Sequence, residues 1–397
     1  MQRRKGLFAR LQLDADPAQR GAAERSRERA GFSLIELVIS MAVLGMVSFF
    51  LTDLLVRQSR TYTVVDDVTE TQQNLRAVTN LLERELRSTG FLVPEGAAIC
   101  AYDTGGGGTP DTNPDVLYLT DADALDPAGV TSLTTQAATI LSGYGDGDGI
   151  EVLQLSSLVV DAGAFYDTDG DDVADSDFQF SIAPARNGGV IVVDRDDPSS
   201  GAACGVITDL DLGSNTITVD FNVSTAPNSP PAGAAPDGTP LGVGAANLVA
   251  IPAHVYWINP AVGGGPPQLI RNGMVLASDV EDLQVAMFYD TDDDGVVDGL
   301  DPDFTPPPAH SATEYPGSAA DNAEYESGAW DNSELREVRV TVVARTRAED
   351  PNVAINPALA TSVRQGFENR QSATAADGFR RRSITLTVQP RNVDRVL

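Results

Sequence analysis

Gly31-Phe32-Ser33-Leu34-Ile35-Glu36-Leu37-Val38-Ile39-Ser40-Met41-Ala42-Val43-Leu44-Gly45-Met46-Val47-Ser48-Phe49-Phe50-Leu51 is the stretch on which the reading of the chain turns. From Phe32 to Leu51 its only charge is Glu36. About 20 apolar residues are what an α-helix needs to cross the hydrocarbon core of a bilayer. One acid near the start of such a span costs about 2.5–3.5 kcal/mol on insertion scales, so a partner for it is expected.

Residues 1–31 carry Arg3, Arg4, Lys5, Arg10, Arg20, Arg25, Arg27 and Arg29 against Asp14, Asp16, Glu24 and Glu28. This basic, polar segment stays on the cytoplasmic side by the positive-inside rule. A secretory signal is cut after its apolar stretch, at a small-residue site, and no such site follows Leu51. Gly31 instead precedes the apolar stretch. Cleavage there leaves the helix on the mature chain, with Phe32 as its new amino terminus.

Gly31, Phe32 and Glu36, with Ser33, Leu34, Ile35 and Leu37 between and after them, resemble the class III signal of type IV prepilins. The resemblance implies a membrane peptidase that cuts after Gly31 and methylates Phe32. It also implies that Glu36 offsets the ammonium of a neighbouring subunit's Phe32 in a low-dielectric bundle, setting the register of an incoming subunit. The leader, residues 1–31, is longer than most of its kind. An ordinary single-pass anchor with a stray Glu is the plain alternative.

No Pro occurs between Phe32 and Val93, and Gly45 is the only Gly between Phe32 and Gly90. Beyond the apolar span Val65, Val68, Leu75, Val78, Leu82 and Leu86 follow helical spacing. Glu83 and Arg87 sit one turn apart, Gly90 suits a C-cap, and Pro94 stops any continuation. The expected element is a stalk helix over 32–90, with its membrane segment at 32–52.

Residues 91–397 read as a β-rich head. Expected strands are 150–160, 190–193, 216–223, 248–258, 283–289, 338–345 and 383–388. Alternation in 216–223 and 336–342 predicts antiparallel sheet with one solvated face. The fold class is therefore α+β: a long N-terminal helix packed on an antiparallel head with long acidic loops, two lobes dividing, if anywhere, near 224–246. Leu269–Gly273, Leu283–Asp290, Glu337–Arg345, Arg380–Val388 and Arg391-Asn392 resemble heads of PilW-type minor pilins and of the related J-type pseudopilin of type II secretion.

Cys100 and Cys204 both fall in the head. An oxidising compartment favours a bridge between them, and two buried free thiols are the alternative. Phe165-Tyr166-Asp167-Thr168-Asp169 recurs as Phe288-Tyr289-Asp290-Thr291-Asp292. In the second copy Asp290, Asp292, Asp294, Val296 (through its carbonyl), Asp298 and Asp301 stand at positions 1, 3, 5, 7, 9 and 12 of a calcium loop, with Gly295 at the sharp turn. Asp167, Asp169, Asp171, Val173 and Asp175 are a weaker copy. Solvated acidic turns explain the same residues, because Asp and Gly favour turns. The expected cofactor is structural Ca²⁺, with no organic cofactor.

The whole chain has a net charge of −30, and the 366 residues after the leader keep 19 arginines, no lysine and 53 acids, for −34. Such a chain repels nucleic acid. His254 and His310 lack metal-ligand spacing, and no nucleophile, phosphate or zinc motif is present, so no enzyme is expected. Chance pairs among so many acids leave a hydrolase as a distant option. The resemblance implies a minor pilin that aids the start of assembly near a filament tip. Its partners would be other pilins or pseudopilins, a prepilin peptidase/methylase and an inner-membrane assembly platform. It would be a single-pass inner-membrane protein with a periplasmic head before assembly, and at the pilus or cell surface afterwards. The alternatives are a type II secretion pseudopilin and a calcium-dependent adhesive head on a pilin stalk.

Overall fold

The computed structural model describes residues 32–90, 93, 98–102, 113–120, 136–142, 150–155, 182–183, 186–194, 202–211, 213–221, 248–260, 265–290, 297, 314–315, 334–350, 353, 356, 362–367, 370 and 372–390. Helix α1 (Leu34–Ser88) is the first of the described elements. Strands follow: β1 (Ile99–Tyr102), β2 (Val116–Thr120), β3 (Gln136–Ser142), β4 (Ile150–Leu155), β5 (Ile182–Ala183), β6 (Arg186–Asn187), β7 (Gly189–Asp194) and β8 (Ala202–Asp211). Then come β9 (Thr216–Asp220), β10 (Leu248–Asn259), β11 (Gln268–Arg271), β12 (Met274–Ser278), β13 (Val280–Tyr289), β14 (Glu314–Tyr315), β15 (Leu335–Arg345) and β16 (Arg381–Val388). The fold is α+β, a long N-terminal helix followed by antiparallel sheets.

Two compact units divide inside α1, between Tyr62 and Thr63. In the first, the apolar side chains from Phe32 to Leu55 are exposed, and the helix is long and apolar enough to cross a membrane. Thr52 turns its hydroxyl back to the Ser48 carbonyl at 2.8 Å, which satisfies it without water. Asp53 and Arg57 pair one turn apart at 2.9 Å.

In the second unit the helical stripe is selective. Leu75, Val78, Leu82 and Leu86 are fully buried, whereas Val65 is exposed. Each buried side chain contributes about 1.5–3 kcal/mol over the exposed state. They pack on Ile99 and Ala101 of β1, Leu117 and Leu119 of β2, and Leu283, Val285, Met287, Val338, Val340 and Val342 of β13 and β15. The helix ends as its spacing predicts. Glu83 and Arg87 pair at 2.6 Å, and Gly90 takes a left-handed φ of 78°. The Gly90 N–H donates to the Thr120 hydroxyl at 2.9 Å, so β2 caps the end of α1.

A ring not foreseen from the sequence lies on the other side of the β1–β2 layer from the helix. β10 pairs with β3 on one side and β7 on the other, and β3–β4–β9–β8–β7 joins those two edges. Six strands thereby close into an antiparallel barrel, which leaves the ring without a free edge. Leu153, Leu155, Val190, Val192, Ala203, Ile207, Ile217, Val219, Phe221, Leu248 and Ala250 fill it. The opposite faces of β7, β8 and β10 pack against Val116 and Tyr118 of β2, with Cys100 and Cys204 in the same cluster. Those two cysteines are joined, their Cα atoms 6.3 Å apart, tying β1 to β8. Residues 224–246 do not divide two lobes, since β9 before them and β10 after them belong to one ring.

The smaller sheet runs β14-β13-β15-β16. One solvated face was expected for β15, yet Thr341 and Val343 on that face are buried. Described residues of the 362–370 stretch lie against it: Ser362, Val363 and Phe367 line a groove with Val343, and Arg370 and, at 3.5 Å, Arg364 pair with the buried Asp282 carboxylate. Burial pushes the Asp282 carboxyl above its ordinary range despite both cations.

Gly205 of β8 points into the barrel, where an added Cβ would lie 2.5 Å from Val219 Cγ1 and 2.8 Å from the Asp220 carbonyl oxygen. Gly205→Ala is expected to cost about 1–3 kcal/mol by overpacking, read from the urea midpoint of the folded chain.

Candidate functional site

The site begins where α1 begins. The Leu37 N–H donates to the Ser33 carbonyl at 3.2 Å, which makes Ser33 the N-cap. The Ile35 N–H donates to Ser33 Oγ at 3.4 Å, and the Ser33 N–H donates to Glu36 Oε2 at 3.2 Å. Ser33-Leu34-Ile35-Glu36 is thus a capping box, with the acid on the positive end of the helix dipole. This local role went unread in the sequence, although Ser-x-x-Glu is its signature. Glu36 is not a bare anion in the single chain: one carboxylate oxygen is held by its own backbone. Among the described residues Oε1 makes no bond, and it remains free for a second cation. Phe32 is exposed beside it, and Gly31 lies outside the described residues.

Residues 26–52 match the family model of the prokaryotic N-terminal methylation motif. The N-terminus is type IV pilin-like. The apolar helix with this motif fits membrane anchoring of a pilin, and families that carry the motif are structural rather than catalytic. No curated protein and no solved structure matches the chain.

In the head of this pilin-like chain, a second polar constellation joins α1 to the sheet. Glu85 sits on the apolar stripe, three residues beyond Leu82, and is buried. The Tyr256 hydroxyl of β10 donates to Glu85 Oε2. Arg271 of β11 donates through Nη2 to Glu85 Oε1 at 2.9 Å and through Nε to the Tyr256 hydroxyl at 2.9 Å. The same guanidinium lies 2.8 Å from His254 Nε2 and, being only a donor, makes that nitrogen an acceptor. Burial, and next the Glu85 carboxylate, push the Tyr256 phenol well above its ordinary value. His254 is therefore a packed strand residue within a polar clamp.

The clamp is held in place by a hairpin. Asn272 and Gly273 adopt φ of 50° and 77°, the left-handed pair of a tight two-residue turn between β11 and β12. Asn272 also exchanges bonds with β10: its N–H donates to the Val255 carbonyl at 3.0 Å, and its Oδ1 accepts the Val255 N–H at 2.9 Å. Sequence reading passed over the clamp, though an acid on the buried stripe at 78, 82 and 85 was its visible sign.

Of the calcium-loop residues the structure describes Asp290 alone. It is fully buried at the end of β13, and its Oδ2 accepts from Arg336 Nε at 2.9 Å. Asp292, Asp294, Val296, Asp298 and Asp301 lie outside the described residues, as do Asp167, Asp169, Asp171, Val173 and Asp175. Among the described residues no group of acids, histidines and cysteines is arranged to hold a metal.

Glu85→Ala strands the Arg271 guanidinium and the Tyr256 hydroxyl in a nearly dry site. It is expected to destabilise the head by about 3 kcal/mol, read by chemical denaturation. Glu85→Gln, which keeps the shape and part of the bonding, costs less.

Proposed function

We propose that this chain is a minor pilin, cut after Gly31, methylated on Phe32 and extracted from the inner membrane into a type IV pilus. The observation that carries this reading is the methylation motif over 26–52, which overlaps the start of a 55-residue helix that is exposed and, apart from Glu36, uncharged through residue 52. An exposed apolar helix of that length is stable only in lipid or against other such helices. The second half of α1, buried on the head, supports the division of labour expected of a pilin.

Glu36 has two tasks in this reading. In the membrane its capping bond to Ser33 shields part of the charge. In the filament its free oxygen receives the ammonium of a neighbouring Phe32, and the low dielectric of the helix bundle strengthens that contact. The head stays on the far side of the membrane from the basic leader, in a compartment where Cys100 and Cys204 can remain bridged. A scarce subunit near the filament tip, aiding the start of assembly, fits the large and acidic head. A type II secretion pseudopilin would use the same helix and the same chemistry.

Glu36→Ala is expected to leave membrane insertion and cleavage intact while lowering the share of the chain in sheared filaments about tenfold or more, the equivalent of one lost charge-assisted contact. Equal incorporation of wild type and variant, quantified by immunoblot of the filament fraction, rules out the pairing.

We also propose calcium in the 290–301 loop, on the spacing of its acids alone. Arg336 already compensates Asp290, so the ion would depend mainly on the remaining carboxylates. Ca²⁺ at about 100 times its dissociation constant would add about 2.7 kcal/mol to the folded state, visible as a rise in melting temperature that EDTA reverses. A melting curve indifferent to both removes calcium from the account.

A further inference from the structure

We propose that β16 is a docking edge, to which an extended segment of a neighbouring pilin-like subunit adds as a further strand. The inference rests on the filament reading above. β16 ends the smaller sheet and pairs with β15 through eight consecutive residues, with no bulge. Among the described residues nothing pairs with its other side.

The phase of the ladder fixes which backbone groups are open. The Thr346 N–H donates to the Arg380 carbonyl at 2.8 Å, so residues 380, 382, 384, 386 and 388 face β15 with their N–H and C=O groups. Arg381, Ser383, Thr385 and Thr387 therefore turn theirs to the open edge. Ser383, Thr385 and Thr387 are exposed, while Ile384 and Leu386 pack toward the core and lock the register.

Proteins normally guard such an edge with proline, a bulge, charged side chains or a very short strand, and β16 carries just one unpaired charge among the described residues, Arg382. β16 has no Pro, no Gly and no bulge over its eight residues. Arg381 is held by Glu281 and Asp377 and is not a free guard. Open grooves lie at both ends of the strand. One, of about 520 Å³, is lined by Val363, Phe367, Arg382 and Ser383; the other, of about 530 Å³, by Arg87, Thr387, Gln389 and Pro390. They give an added strand room to enter and to leave.

Arg382 sets the chemistry of the occupant. It is exposed and makes no ion pair among the described residues, in a chain whose net charge is −30. An acidic residue on the incoming strand would complement it. Pairing β16 with β16 of a second copy would close a two-fold dimer, whereas a filament stacks its subunits head to tail. A scarce subunit has other pilin-like chains as its neighbours, so the occupant is a segment of one of those and not of a second copy.

The test places a photo-crosslinking residue at Thr387 of the full chain in its host membrane, with the same residue at exposed Asp209 of β8 as control. A discrete adduct with a second pilin-like subunit is expected from Thr387 and not from Asp209. Ser383→Pro removes an outward N–H without touching the β15 ladder, and should lower that adduct about tenfold, the cost of one main-chain bond. Arg382→Glu, an exposed change that leaves the sheet intact, should lower it as well. A processed chain that gives no Thr387 adduct, gives only an adduct with itself, or gives one indifferent to both variants overturns the docking edge. A chain that keeps its leader overturns the filament reading instead, and this inference with it.

Discussion

One carboxylate at the third residue of an apolar helix is the group on which the N-terminal unit turns. Glu36 is costly in lipid, and its own backbone satisfies just one of its oxygens. The capping bond lowers the cost without removing the charge. A helix that carries such a group is stable in a membrane yet better satisfied where a fixed cation meets it. In the proposed filament the amino end of a sister helix, cut after Gly31, would be such a cation. On that proposal a single processing event would supply both the charge and the access that assembly requires.

The head is organised around the second half of the same helix. Leu75, Val78, Leu82 and Leu86 supply the apolar contact, and the Glu85–Tyr256–Arg271 clamp fixes rotation and height on the sheet. Hydrophobic burial alone is non-directional, so a buried and bonded polar group on the stripe gives the packing one orientation. β10 carries this order outward: it bears Tyr256 near one end and closes the barrel with its other end. The Cys100–Cys204 bridge then joins the barrel to the layer beneath the helix.

The helix was legible in the sequence because its signals are local: an uninterrupted apolar run, a stripe at three and four, Glu83 beside Arg87, then Gly90. Seven of the strands were legible for the same reason, through β-branched runs such as 248–258 and 338–345. β1, β2, β3, β5, β6, β8, β11, β12 and β14 were not, most being short or broken by Gly and polar residues whose place depends on partners far along the chain. Barrel closure is a matter of pairing and leaves no mark in any one strand. The solvated face expected of β15 failed because alternation reports chemistry and not cover: Thr341 alternates correctly yet is fully buried, its hydroxyl bonded to that of Thr385 on β16. At the helix start the acid was seen, and the Ser33 that caps with it was not.

The most direct measurement is the mass of the N-terminal peptide from chain recovered in the membrane and filament fractions. The account predicts a peptide that starts at Phe32 and carries one methyl group on its amine. A peptide that retains residues 1–31, or one that starts beyond Leu51 with the apolar helix removed, would contradict it.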